Sequence, residues 1–206
     1  MRSQPQLQRD SPERTLLLDA CGVVLGEPME PLFRAVAASS GLHPAVVAQL
    51  FRQRFRDDLW AGRMDETSFW TSLAMACGLA SASAEWRTVV DQSMRALPAV
   101  RRLPSWSRHA RLVLISNHRH EWLVPRLEAL ALTGHFSEVS ISSITGAVKP
   151  DQAAYDRLLG GTDLAQTLYV DDKLANVAAA RSLGVRSLLA DADGRWLKEV
   201  EAWLGC

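Results

Sequence analysis

Three short apolar runs in this chain each stop at a polar side chain, and that arrangement constrains the fold more than any other feature. Residues 15–18 end at Asp19, residues 111–115 end at Ser116 and Asn117, and residues 167–170 end at Asp171 and Asp172. Runs this short are not helices, and with both faces apolar they read as strands buried in a parallel sheet. In the second half of the chain they alternate with helical patterns. Helices are expected over 100–107, 121–131, 152–159, 174–183 and 196–204, with further strands over 136–142 and 187–191. Alternation at this spacing implies α/β architecture: a Rossmann-like parallel sheet, wrapped by right-handed crossovers into three αβα layers. A parallel sheet carries all its strand C-termini on one edge, so Asp19, Ser116, Asn117, Asp171 and Asp172 are expected to converge there.

Between the first two strands the pattern is helical with almost no strand signal. Four helices are expected across residues 27–98, punctuated by Gly41, by Pro44 at a helix start and by the acidic first turn at Asp65 and Glu66. The expected organisation is therefore a polar tail over 1–13, an α/β core over 14–26 and 99–206, and an inserted all-helical cap over 27–98. Trp60, Trp70 and Trp86 fall in the insert, where packing is the expected role and stacking on a ligand the lesser one. No repeat or low-complexity segment interrupts this plan.

Composition narrows the classes of function. The 206 residues carry 23 basic and 23 acidic side chains for a net charge of zero, with no basic run, which argues against a nucleic-acid partner. No stretch reaches the ~18 apolar residues of a membrane span. Cys21, Cys77 and Cys206 are odd in number and widely spaced, as in a reduced, cytoplasmic chain. Arginine replaces lysine almost everywhere, so the retained Lys149 and Lys173 stand out. Lys149 precedes Pro150 just before a predicted helix, with Pro150 expected in its first turn. Lys173 follows the acidic pair.

These residue types suit phosphoryl chemistry. An ionised Asp attacks phosphorus only if the phosphoryl oxygens are neutralised. Two further carboxylates suit a hard cation such as Mg²⁺, a lysine supplies a point charge, and a serine hydroxyl and an amide supply hydrogen bonds. His118, Arg119 and His120 lie beside this site as loop or helix-start residues, with His118 or Arg119 within reach of a substrate by position alone.

Asp19-x-x-Gly22-Val23-Val24 resembles the first motif of the haloacid dehalogenase-like (HAD) phosphohydrolase superfamily. Lys149-Pro150-Asp151, and Asp171-Asp172 with Asn176, Ala180, Leu183 and Gly184, resemble its helical-cap branch, which includes sugar-phosphate phosphatases and the phosphatase-like domain of soluble epoxide hydrolases. The resemblance covers roughly residues 14–192. It implies a Mg²⁺-dependent phosphatase of small phosphorylated metabolites working through an aspartyl-phosphate. Asp19 falls on the nucleophile, Ser116 on the phosphate-binding Ser/Thr, and Lys149 on the cation. Asp171 and Asp172 fall on the metal-binding pair, with Asp19 and the backbone carbonyl of Cys21 completing the metal ligands.

One position departs from the family pattern. Cys21 stands where a second Asp usually protonates the leaving group and activates water, and a thiol with a pKa near 8.5 is a poor replacement. Three outcomes follow: a substrate with an activated phosphate, an aspartyl-phosphate that hydrolyses slowly, or a catalytically impaired binding or regulatory protein on the same scaffold. A further alternative is a metal-independent 2-haloacid dehalogenase-like hydrolase, because Asp19-Ala20-x-Gly22 also resembles the start of those enzymes. Those enzymes typically lack an acidic pair such as Asp171 and Asp172.

Overall fold

The computed structural model describes residues 14–206; the tail expected over 1–13 lies outside them. Among the described residues five parallel strands form one sheet: β1 (Thr15–Leu18), β2 (Arg111–Ser116), β3 (Glu138–Ile141), β4 (Thr167–Asp171) and β5 (Arg186–Leu189). Their order is β3-β2-β1-β4-β5. The chain fills one side of β1 and then returns to the other, so strand order reverses at β1, flanked by β2 and β4. Open α/β sheets bind ligands at such a switch point, beyond the strand C-termini.

Side-chain alternation along the strands makes the layers. Leu17, Val113, Ile115 and Tyr169 point to one face, against Ala154, Tyr155 and Leu158 of α9 (Ala153–Leu159) and Ala180 of α10 (Leu174–Ser182). Leu16, Leu18, Leu112, Leu114, Leu168 and Val170 point to the other. That face is covered by α6 (Leu103–His109), α7 (His120–Ala129) and α11 (Arg195–Leu204). The expected αβα sandwich is thus present, and both faces bury their apolar residues. The remaining core element, α8 (Ser142–Thr145), is a single turn after β3.

Five helices, not four, lie between β1 and β2: α1 (Met29–Ser40), α2 (Pro44–Arg54), α3 (Arg56–Trp60), α4 (Glu66–Ala76) and α5 (Ala84–Ser93). The extra one arises at Phe55, whose backbone leaves helical geometry at φ −126°. The bend lets Phe51 from α2, Phe55 itself and Trp60 from α3 all bury their rings beside Phe69 and Trp122. Burial of several aromatics outweighs the continuity of one helix. A second difference lies before β2. A 3-10 turn spans Pro98–Arg101, and α6 starts at Leu103 rather than 100, because Pro104 lacks an N–H and fits only a first turn. Pro150 likewise sits in a turn ahead of α9, not inside its first turn.

The chain leaves and re-enters the sheet layer at one place. Gly26 N–H donates to the Arg95 carbonyl at 2.9 Å and Leu97 N–H to that of Val24 at 2.9 Å.

Candidate active site

The strand ends put the polar residues where the sheet reverses. Asp19 follows β1, its N–H donating to the Val170 carbonyl at 2.9 Å, so the β1–β4 ladder itself sets its position. Ser116 closes β2 and Asp171 closes β4; both are buried. Lys149 arrives on the loop before α9. Asn117 holds that loop by a reciprocal pair, its Nδ2 donating to the Lys149 carbonyl (2.7 Å) and its Oδ1 accepting from Lys149 N–H (2.8 Å). Asn117 thereby positions Lys149 in addition to lining the site.

Lys149 is only 1% exposed, and its ammonium donates three ways: to Asp19 Oδ1 (2.9 Å), Asp171 Oδ2 (2.7 Å) and the Ile115 carbonyl (3.0 Å). Burial works against its charge, but the two carboxylates hold its pKa above the usual lysine value. Asp171 is fully engaged. Besides Lys149 it accepts from the Tyr169 hydroxyl, from Lys173 N–H (2.7 Å) and from Asn176 Nδ2 at 3.0 Å on both oxygens. Lys149 and Asp171 therefore form a satisfied buried pair, and Asp19 is left as excess negative charge. Its pKa rises to about 8, chiefly through burial, relieved by Lys149 and reinforced by Asp171 and Asp172.

Asp172 completes the cluster. Carboxylate oxygens of Asp19, Asp171 and Asp172 lie within 4.8 Å of one another. Asp172 Oδ2 accepts from Lys173 Nζ at 2.8 Å, whereas its Oδ1 is buried with no hydrogen-bond partner among the described residues. Gly22 is required beside it: its φ is +93°, and a Cβ there would fall 2.4 Å from the Asp172 carboxyl carbon. An all-oxygen set with excess negative charge and an orphaned buried oxygen fits a hard divalent cation. Because Asp171 is saturated by protein donors, Asp19 and Asp172 are the carboxylates best free to ligate.

The cluster opens into a cavity of about 490 Å³. Asp19, Cys21, Ser116, Asn117 and Lys149 all line it, so the residues singled out at the ends of β1 and β2 and on the loop before α9 share a single chamber, with Lys173 and Asn176 lining it from the β4 side and Asp171 and Asp172 outside its lining. Cys21 is buried, and burial, reinforced by the nearby negative charge of Glu27, pushes its thiol well above the ordinary range. His118 reaches the cavity. Arg119 is instead tied to the Met64 carbonyl (2.7 Å) and to Glu121. Of the insert tryptophans, Trp60 lines the cavity, Trp70 stacks on Trp122 (5.2 Å, 23°) and Trp86 bonds Ser39 from the interior. Sequence reasoning missed Glu27, Phe33, Phe51, Arg52 and Arg56 in the wall, and Tyr169 beneath Asp171. The helical spacing of Phe51 and Phe55 signalled an apolar face, but nothing local signalled what that face meets.

The family model for haloacid dehalogenase-like hydrolases matches residues 86–190, half of the chain. The chain belongs to the haloacid dehalogenase-like hydrolase family. Solved HAD structures share its fold. A HAD-like family hydrolase from Porphyromonas gingivalis superposes with a TM-score of 0.71 at 23% identity, covering 93% of this chain and 97% of that one. The HAD family enzyme bt-2542 from Bacteroides thetaiotaomicron, in complex with magnesium and inorganic phosphate, gives 0.69 at 16% identity over 90% and 98%. The L-2-haloacid dehalogenase of Xanthobacter autotrophicus gives 0.61 at 15% identity over 92% and 87%. No curated protein matches the chain in sequence.

Proposed function

We propose that this HAD hydrolase is a Mg²⁺-dependent phosphatase of small phosphorylated molecules. The observation that carries the reading is the charge imbalance at the switch point: one lysine shared by Asp19 and Asp171, with Asp172 presenting an unpartnered buried oxygen beside them. A site built this way is completed by a divalent cation and an anionic substrate. The magnesium and phosphate held by the Bacteroides enzyme support the same reading.

Asp19 and Asp172, with the Cys21 carbonyl, would hold the cation. Bound there, Mg²⁺ would offset the carboxylate charge and neutralise phosphoryl oxygens. Asp19, ionised under those conditions, attacks phosphorus through a carboxylate oxygen. The bond to the leaving oxygen breaks, and that oxygen departs with the electron pair. Lys149 and the Ser116 hydroxyl stabilise the transferring group. Water then cleaves the aspartyl-phosphate, releasing phosphate and restoring Asp19. Asp171 acts through Lys149, which it holds in place. Residues 27–98 serve as a cap that walls the cavity and reads the leaving group. The three free thiols suit a reducing cytoplasm.

With a buried, protonated thiol at Cys21, acid help to the leaving group is weak, so substrates with good leaving groups, such as acyl or anomeric phosphates, should turn over best. A panel of phosphorylated metabolites and a 2-haloacid, assayed with Mg²⁺ and with excess chelator, tests the proposal: phosphate release that requires the metal supports it, and halide release undiminished by chelator, without phosphate release, favours the dehalogenase-like alternative. Cys21 also motivates the reading as a binding protein with impaired turnover. A large gain in activity in Cys21→Asp would favour that reading.

A further inference from the structure

His118 has one ring nitrogen without a hydrogen-bond partner among the described residues. The side chain is 2% exposed and lines the same cavity as Asp19, Ser116 and Lys149. Its Nδ1 lies 3.1 Å from the Arg119 carbonyl. A carbonyl only accepts, so Nδ1 carries the proton and Nε2 presents a lone pair. That Nε2 is buried without a hydrogen-bond partner.

The ring cannot easily turn to find one. One face stacks on Trp60 (5.4 Å, 28°), Trp122 meets it edge-on (5.7 Å, 80°), and the backbone N–H is anchored to Ser142 Oγ at 3.1 Å. Trp60 lines the cavity as well, with Phe33 and Phe51. The chamber thus pairs a phosphoryl-binding floor with an apolar aromatic wall that includes His118, a fixed ring whose Nε2 is unanswered. A buried polar group left unpaired is costly, so such an acceptor favours a ligand that brings a donor.

We infer that His118 is a specificity-determining residue, its Nε2 accepting a hydrogen bond from a hydroxyl or amino group on the organic part of the phosphate ester. The inference rests on the reading of Asp19, Ser116 and Lys149 as the phosphate site. A site that hydrogen-bonds a substrate donor rejects the analogue lacking it far more strongly than an apolar pocket rejects a missing methylene.

The test uses the full chain carrying Asp19→Asn, with Mg²⁺, so that esters bind without turnover. Calorimetric titration compares glycerol 3-phosphate with propyl phosphate, and phosphoethanolamine with ethyl phosphate. The first pair reads a hydroxyl and the second an amine. In at least one pair the donor-bearing ester should bind about tenfold tighter or more. Adding His118→Phe should bring that ratio close to one, and His118→Gln, which restores an acceptor, should recover part of it. With ring-¹⁵N histidine, the Nε2 resonance of His118 should move on titration with the donor-bearing ester and stay put with its counterpart. The NMR arm decides the matter if the variants misfold. No discrimination in either pair, or a ratio unchanged by His118→Phe, overturns the inference. Discrimination without hydrolysis of any ester by the unaltered enzyme would instead sink the phosphatase reading and leave the role of His118 standing.

Discussion

Asp19 shares one cation with a second carboxylate, and most of the site's behaviour follows from that residue-level fact. Replacing it with Asn keeps the shape and removes the oxygen proposed to attack phosphorus, so turnover should fall at least about a thousandfold in a Mg²⁺ assay with the circular dichroism spectrum unchanged. Gly22→Ala should act on the same cluster from the other side. The positive φ costs on the order of 1–3 kcal/mol for a non-glycine residue, and the new methyl displaces the Asp172 carboxylate. Titration calorimetry should show Mg²⁺ binding strongly weakened. His118 predicts a pH effect. Burial, aided by the charge of Arg87 and opposed by the bond to the Arg119 carbonyl, lowers its pKa from 6.5 to about 4. Between those values the unfolded chain takes up a proton that the folded chain refuses, so acid favours unfolding. Urea titrations should show the native chain losing about 2 kcal/mol more than His118→Gln between pH 7 and pH 5.

Among the elements, the contact between α4, α5 and α7 holds the helical insert to the sheet layer. Glu66 Oε1 on α4 accepts from Trp70 Nε1 (3.0 Å) and from Trp122 Nε1 on α7 (2.7 Å), and forms an ion pair with Arg87 Nε on α5 (3.0 Å). Trp122 is fully buried, so Glu66→Leu leaves its indole N–H without an acceptor. A loss of about 1–3 kcal/mol in chemical denaturation is expected. Gly62, just after α3, makes a second junction. A Cβ there would fall 2.2 Å from the Ser143 carbonyl oxygen, so the insert approaches α8 at a point only glycine allows.

At the scale of the molecule, what could be read in the sequence divides by the range of the forces involved. The strands and their polar ends are local signals: after an initial threonine, 15–18 and 167–170 run through large hydrophobic side chains, and the carboxylates that stop them need only the parallel sheet to meet. Asn117 and Lys149 were visible as single residues, yet their mutual grip spans 32 positions and follows from the β2 and α9 loops lying side by side. Phe33, Phe51 and Arg52 in the cavity wall depend on which face of α1 and α2 turns inward, which is decided by the aromatic cluster around Phe69 and Trp122. The bend at Phe55 has the same origin, since propensity alone favours one continuous helix. Cys21 was legible as a departure, and it bears on the central claim. If water attack on the aspartyl-phosphate lacks its usual carboxylate, the phosphorylated enzyme should persist long enough to trap. The decisive measurement is the intact mass of the enzyme acid-quenched after mixing with Mg²⁺ and acetyl phosphate, with peptide mapping of any adduct. One phosphoryl group is expected, on Asp19, absent from Asp19→Asn and from samples with chelator. Phosphate release that proceeds in Asp19→Asn, or a phosphoryl group on any other residue, would contradict the central claim.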